Sequence, residues 1–244
     1  MRTWMCFIFM LMFLTGVYGQ EKKRDIQLEL SYVKTGGNTD TETFSSKLDA
    51  EGTGLGNRYF LTGMLLRTKD DGKEKTNNFT SGLRIERTLS GRLFAFIGIH
   101  FIRDRFEGYE YRFSVGPGMG FDILRGERHT MKGLCSILYY RDKTIIQASD
   151  FNVFASLKPS LQYEWKIKKD VIFKNHLGYN WSLKQREKYF VFMENSLQIG
   201  LSGRISIGIG YLLKYQNLVP APEIKKTDTS LLTSLIVHFS RTEK

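Results

Sequence analysis

The strongest constraint in this sequence is the stretch 109–124, in which large apolar residues alternate with small or polar ones. The apolar set occupies the odd positions and comprises Tyr109, Tyr111, Phe113, Val115, Pro117, Met119, Phe121 and Ile123. The even positions are charged, polar or glycine as far as residue 122. Successive side chains of a β-strand point to opposite faces, whereas a helix of about 3.6 residues per turn would mix the two sets. The stretch therefore predicts one long strand with an apolar and a polar face.

The same alternation recurs along the chain and predicts an all-β protein. We predict twelve strands near residues 26–33, 42–53, 58–68, 77–88, 93–103, 109–123, 129–141, 153–165, 171–182, 190–200, 205–215 and 230–240. No segment has a helical period, and no linker divides the chain, so a single domain is the economical interpretation.

The connections between the predicted strands alternate in length. From the second strand to the eleventh, every second connection is tight: 54–57, 89–92, 124–128, 166–170 and 201–204. The others are mostly longer or more polar: 34–41, 69–76, 104–108, 142–152, 183–189 and 216–229. Short turns on one side and longer loops on the other are typical of bacterial outer-membrane barrels. We predict a single antiparallel transmembrane β-barrel of about twelve strands, with short periplasmic turns and longer external loops.

A soluble barrel or sandwich is the rival interpretation, because it would show the same alternation with its apolar face inside. The membrane barrel is favoured by a polar face rich in charges and glycines, which suits a lumen. Aromatic residues also lie near the predicted strand ends, as in interface girdles. The last strand, 231–239, ends in Phe239 like the assembly signal of these barrels, although five residues, SRTEK, follow it.

The first residues form a predicted export signal. Arg2 precedes the apolar run Trp4–Leu14, and the small residues Val17 and Gly19 follow. This order is typical of a secretory signal peptide, and the run is shorter than the roughly 18–20 residues of a membrane anchor. We predict a signal peptide at 1–19, cleaved near Gly19, and an outer-membrane β-barrel domain at 20–244. The location is then the outer membrane of a bacterium of the Gram-negative type.

Three stretches resemble a known bacterial family. They are YVKTGGNTDTETFSSKLDAEG (32–52), DRFEGYEYRFSVGPGMGFDIL (104–124) and YNWSL (179–183). In these stretches the chain resembles the salt-induced outer-membrane proteins, and the resemblance runs over nearly the whole segment after the signal peptide. It implies an outer-membrane β-barrel and a link to salt or osmotic stress. It brings no catalytic or ligand residues.

The sequence shows little sign of catalytic chemistry. The histidines after the signal peptide have no metal-ligand spacing, and the glycine-rich stretch 116–120 lies within a strand with no helix after it. His176, on a polar face beside Asn180 and Ser182, suits a hydrogen-bonded lumen histidine better than a catalytic one. We predict no catalytic residue, no metal and no cofactor. A membrane-embedded hydrolase, a lipase or protease, is the alternative to a barrel that is not an enzyme.

The polar faces of the strands define a predicted lumen. The residues expected to line it include Lys47, Asp49, Glu51, Arg84, Glu86, Glu110, Arg112, Asp122, Lys158, Glu164, His176, Glu194 and Lys214. Two interpretations stay open: a salt-bridged network that fills the lumen, or a narrow polar conduit whose charges tune selectivity. Gly116, Gly118 and Gly120 should leave space on one wall. That space would hold water or long side chains from the opposite wall, such as Lys158 or Arg84.

The formal net charge of +11 raises the question of partners. The basic residues are spread over turns, loops and the polar face, without the basic and aromatic platform of a nucleic-acid binder. We expect contacts with outer-membrane lipids and lipopolysaccharide, the barrel-assembly machinery as a partner during biogenesis, no nucleic acid, and a monomer. The predicted function is a non-enzymatic outer-membrane barrel with an envelope-integrity or narrow-channel role.

Overall fold

The computed structural model describes residues 22–35, 41–105, 107–145, 151–220, 222 and 224–243. The predicted signal peptide, 1–19, lies outside the described residues. The strands are β1 (Lys22–Thr35), β2 (Thr41–Gly54), β3 (Asn57–Asp70), β4 (Lys73–Ser90), β5 (Leu93–Asp104), β6 (Tyr109–Arg125), β7 (His129–Thr144), β8 (Phe151–Lys168), β9 (Val171–Ser182), β10 (Tyr189–Gly200), β11 (Ile205–Gln216) and β12 (Thr227–Glu243). No helix among the described residues is long and apolar enough to cross a membrane.

The strands form one closed antiparallel barrel. Each strand pairs with its neighbours in the chain, and β12 returns to pair with β1, from Lys22 opposite Glu243 to Leu30 opposite Leu235. Closure leaves no strand edge with unpaired backbone N–H and C=O groups, which a lipid environment requires. The prediction of a single antiparallel barrel of about twelve strands is confirmed.

The outer face of the barrel is apolar. On β7, Ile137 is 55% exposed, whereas its neighbours Ser136 and Leu138 are buried inside the barrel. The same outward exposure is shown by Leu30, Ile97, Met119, Ile209 and Leu235. A soluble barrel would bury these side chains, so the arrangement is that of a barrel whose exterior faces lipid.

One predicted external loop is a tight hairpin instead. Strand β3 continues to Asp70 and β4 begins at Lys73, so only Asp71 and Gly72 connect them. Their φ angles of +48° and +73° are those of a two-residue turn that matches the twist of a hairpin. The prediction of a longer connection at 69–76 is therefore wrong, because the polar residues on both sides of Asp-Gly extend the strands.

A bulge in β6 corrects one predicted lumen residue. The register with β7 shifts between Tyr109 and Tyr111, and Tyr109, only 3% exposed, takes the inward place. Glu110 faces outward and pairs with Lys143 at 2.7 Å. The placement of Glu110 in the lumen is wrong, because strict alternation takes no account of a residue inserted at a strand end.

The inward glycines of β6 are covered by rings from the adjacent strand. Gly118 and Gly120 stand opposite Phe96 and Phe94 of β5, and a Cβ at either glycine would overlap the facing ring. On β9, Gly178 is covered in the same way by Phe192 of β10. The space at Gly118 and Gly120 is thus filled by neighbouring phenylalanines, and not by side chains from the opposite wall.

This packing predicts the effect of a side chain at Gly118. Gly118→Leu should lower the free energy of unfolding by about 1–3 kcal/mol, because the new side chain competes with the Phe96 ring for one volume. Urea unfolding of the refolded protein in detergent micelles measures it. Gly63→Leu is the matched control, since nothing lies within 4 Å of a Cβ there. Equal effects of the two substitutions would contradict the packing.

Candidate functional site in the barrel lumen

The external end of the lumen holds a buried ion-pair network. Arg112 donates two hydrogen bonds to the carboxylate of Asp142, from Nε and Nη2, each of 2.9 Å. Asp142 is fully buried and also accepts a hydrogen bond of 3.4 Å from Nζ of Lys188. The Arg112 guanidinium lies between two rings, 3.9 Å from the centroid of Tyr109 and 4.2 Å from that of Phe190. Planar stacking and bidentate pairing together fix this arginine.

A second network closes the same end from the opposite side. Nζ of Lys214 lies 2.6 Å from the Glu107 carboxylate and 3.5 Å from that of Asp104. The Tyr109 hydroxyl donates to Oε1 of Gln216 at 3.1 Å. Burial raises the pKa of Glu107 above its usual range, although the charge of Lys214 opposes this shift. The residues Arg112, Asp142, Lys188, Lys214, Glu107 and Asp104 are called the external cluster below.

The external connections fold over this cluster. Gly108 has a φ of +88°, and a side chain at this position would overlap Pro220 and Ile224 of the connection between β11 and β12. The Gly108 carbonyl accepts a hydrogen bond of 3.1 Å from the Ile145 amide. A cavity of about 320 Å³ is left at this mouth, lined by Asn152, Phe154, Ser182, Lys184, Gln185 and Lys188.

The periplasmic half of the lumen holds a second buried carboxylate. Glu86 is buried between two arginines, with ion pairs of 2.6 Å to Arg58 and 2.9 Å to Arg84. The Arg84 guanidinium carbon lies 4.6 Å from the Phe60 ring centroid, and that of Arg58 lies 5.4 Å from the Phe94 centroid. The two arginines therefore share one carboxylate and rest on aromatic rings.

The middle of the lumen holds a lysine, an arginine and two histidines. Four half-buried side chains, Arg84, His100, Lys158 and His176, are close enough to act on one another electrostatically. Nζ of Lys158 lies 5.1 Å from the Phe192 ring centroid, and His176 meets the same ring edge-on at 4.7 Å. These four residues are called the central cationic group below.

One wall of the lumen is lined with small polar side chains. A cavity of about 70 Å³, room for a few waters, lies against β1, β2 and β10–β12. The cavity is called the serine-lined passage below, because its lining includes Ser31, Ser45, Ser196, Ser230 and Ser234, together with Gln198 and Glu29. Met64, Leu212, Leu232 and Ile236 also form part of its wall. Lys47 forms an ion pair with Glu194 across this space, and its Nζ also lies 3.7 Å from Asp49.

The lumen is divided lengthwise by this arrangement. Aromatic rings fill the side away from the serine-lined passage, where they belong to Phe94, Phe96, Tyr140 and Phe154. Further rings, those of Phe60, Phe190 and Phe192, stand on strands β3 and β10, which also border the passage. Tyr140 and Phe154 stack at 5.0 Å between centroids. One half of the interior is thus packed, and the other half keeps a narrow polar space.

Nine of the predicted lumen residues fall into these groups, and Asp122, Glu51 and Glu164 lie outside them in addition to Glu110. Lys47, Asp49 and Glu194 meet at the serine-lined passage, and Arg112 and Lys214 belong to the external cluster. Arg84, Glu86, Lys158 and His176 lie near the middle and periplasmic half. Asp122 pairs with Arg125 at the periplasmic rim, with a shortest distance of 2.5 Å. Glu51 acts on Arg84 from nearby, and Glu164 stands opposite Lys174 of β9.

The sequence analysis missed the partners that complete these groups. Asp142 and Glu107 fall in predicted connections, where nothing in the alternation marks them as inward. Lys188 enters the lumen from the connection between β9 and β10. The inward position of Arg58 could have been predicted, because Arg58 shares the even positions of β3 with Phe60. No group of three or more His, Cys, Asp or Glu side chains that could hold a metal occurs in the described part of the chain.

Comparison with solved structures identifies proteins of similar fold. The chain is similar to an outer-membrane channel, COG4313, from Pseudomonas putida F1, with a TM-score of 0.53 and 8% identity over 92% of this chain and 97% of that one. It is also similar to the NanC porin, with a TM-score of 0.49 and 9% identity over 92% and 100% of the two chains. At these identities the likeness shows the fold alone, that of outer-membrane β-barrels.

The family follows from the sequence. A family model described as "Protein of unknown function, DUF481" matches residues 28–239, and the chain belongs to this family. No curated protein matches the chain.

The buried Lys188 predicts a pH dependence of stability. Burial lowers its pKa to about 8, although the charge of Asp142 opposes this shift and those of Arg112 and Lys184 add to it. Between about pH 8 and pH 10 the unfolded chain keeps a proton that the folded chain has released. The free energy of unfolding should therefore rise with pH in this window, by up to about 1.4 kcal/mol per pH unit from this group.

Unfolding at several pH values in the same micelles measures this rise. Lys188→Met should abolish it, and Lys169→Met, in the exposed turn between β8 and β9, should retain it. A rise that survives in Lys188→Met would show that another group causes it.

Proposed function

We propose that this outer-membrane barrel is not an enzyme and acts as a narrow polar conduit for water and small ions. The observation that carries the proposal is the lengthwise division of the lumen. Its packed aromatic half makes the barrel rigid, and its serine-lined passage offers hydroxyl groups in place of the water shell of an ion.

The dimensions of the passage set what it would pass. Its volume of about 70 Å³ suits waters and small ions, and it excludes solutes as large as a sugar. The Lys47–Glu194 ion pair bridges the space, and the external cluster closes the mouth above it. The conduit is therefore closed at two levels in this conformation.

The cellular setting belongs to the same proposal. Residues 1–19 act as a signal peptide cleaved near Gly19, and the barrel then inserts into the outer membrane as a monomer with the help of the barrel-assembly machinery. The apolar exterior supports contact with outer-membrane lipids, and basic residues at the external rim, such as Lys73 and Lys75, suit the phosphates of lipopolysaccharide.

The link to salt or osmotic stress rests on the sequence resemblance. A conduit for small ions and water would let the periplasm adjust to a change in external salt. Growth at raised salt of a strain that lacks the protein, compared with its parent, measures the link. Equal growth of the two strains would contradict the proposed link to salt stress.

The hydrolase alternative has one structural observation in its favour. Oγ of Ser206 and Nε2 of His238 lie 3.2 Å apart, within the reach of a nucleophile and its base. No carboxylate in the described part of the chain completes this pair with a hydrogen bond to His238. His176 is packed edge-on against Phe192, so the histidine considered in the sequence has no nucleophile beside it. The conduit is the better-supported function.

Removal of the bridging ion pair should open the conduit. In planar bilayers, the double variant Lys47→Ser, Glu194→Ser should show single-channel conductance several-fold above that of the native barrel, because two long side chains leave the passage. The matched control is Arg67→Ser, Glu74→Ser, an exposed pair of 2.7 Å at the external end of β3 and β4, which should leave conductance unchanged.

Two results would count against the conduit. One is the absence of conductance from both the native barrel and the lumen double variant. The other is phospholipase or protease turnover by the native barrel that Ser206→Ala or His176→Ala abolishes.

A further inference from the structure

We propose that the central cationic group is a binding site for one small oxyanion of the phosphate, sulfate or carboxylate class. The site lies inside the barrel, where the strands separate it from lipid, so its ligand is a free anion from the lumen. The inference goes beyond the proposed conduit, because an anion can bind there whether or not current flows.

The charge of Lys158 is the first reason. Several lumen cations have carboxylate partners, among them Arg112 with Asp142 and Lys47 with Glu194. Among the described residues Lys158 has none, and the charge that acts on it is that of Arg84. An ammonium held away from bulk water without a counter-charge is unfavourable, and a bound anion would remove that cost.

The arrangement of donors is the second reason. Lys158 brings three N–H groups, and the rings of His100 and His176 also act as donors to an anion. The Arg84 guanidinium carries N–H groups beyond the Nε that faces Glu86. Charged donors that converge from different strands are the arrangement that binds oxyanions most strongly.

The walls of the site limit the size of the ligand. Phe192 contacts both Lys158 and His176, and Phe96 lies 5.9 Å from the Arg84 guanidinium carbon. Rings therefore form part of the wall of the site, which favours a compact anion over a bulky one. The four side chains are half-buried and not sealed, so they meet the water of the lumen.

The site adjoins the serine-lined passage. His176 stands opposite Glu194 in the pairing of β9 with β10, and Lys47 and Glu194 both act on it electrostatically. An anion that enters the passage therefore reaches the central cationic group once the Lys47–Glu194 bridge moves.

Calorimetric titration with inorganic phosphate tests the site on the refolded full barrel in zwitterionic micelles at low salt. The native protein should bind one phosphate per chain. Lys158→Met should weaken binding at least about tenfold, which corresponds to about 1.4 kcal/mol. Lys169→Met, which removes the same charge from the exposed turn between β8 and β9, should leave binding unchanged.

Conservative variants keep the test decisive if Lys158→Met fails to fold. Lys158→Arg should retain binding, and His176→Gln should weaken it while its gel migration remains that of a folded barrel. No binding by the native barrel, or equal binding by the native protein and Lys158→Met, would overturn the site. Binding without conductance would refute the conduit alone, and conductance without binding would refute the anion site alone.

Discussion

The pairing of β12 with β1 is the constraint on which the rest of the structure depends. In lipid an open sheet edge would leave a row of backbone N–H and C=O groups without partners, and each would cost several kcal/mol. Closure removes the edges and determines which side chains face the lumen and which face lipid. Apolar side chains such as Ile137 then face lipid, and the alternate polar ones must share a small interior.

The interior satisfies its charges by pairing them across strands that are distant in sequence. Asp142 of β7 accepts from Arg112 of β6 and from Lys188 of a loop, and Lys47 of β2 reaches Glu194 of β10. Rings of phenylalanine placed over Gly118, Gly120 and Gly178 fill the space between these pairs. The serine-lined passage stays open, and Lys158 has no ion-pair partner among the residues that the structure describes. Both functional proposals derive from those two exceptions.

The fold could be predicted from the sequence because a barrel strand has a period of two residues and a tight turn at a fixed end. The errors lie where local pattern does not determine structure. The charged residues on both sides of Asp71–Gly72 have the composition of a loop, so the two-residue turn was not recognised. The bulge at Tyr109 places Glu110 on the outer face instead of the inner one. The partners of Lys47 and Lys214 could not be predicted, because they come from strands or loops that are not neighbours in the chain. Arg112 with Asp142 and Arg58 with Glu86 are opposite one another on neighbouring strands, but the sequence pattern does not fix the register of those strands.

Cysteine accessibility tests the division of the lumen most directly. Cysteines would be placed singly at Ser234, in the serine-lined passage, and at Ser156, fully buried on the aromatic side, in a Cys135→Ser background. The divided lumen predicts that a small charged thiol reagent modifies Ser234→Cys much faster than Ser156→Cys. Equal rates at the two positions would contradict it, since the lumen would then be uniformly open or uniformly filled.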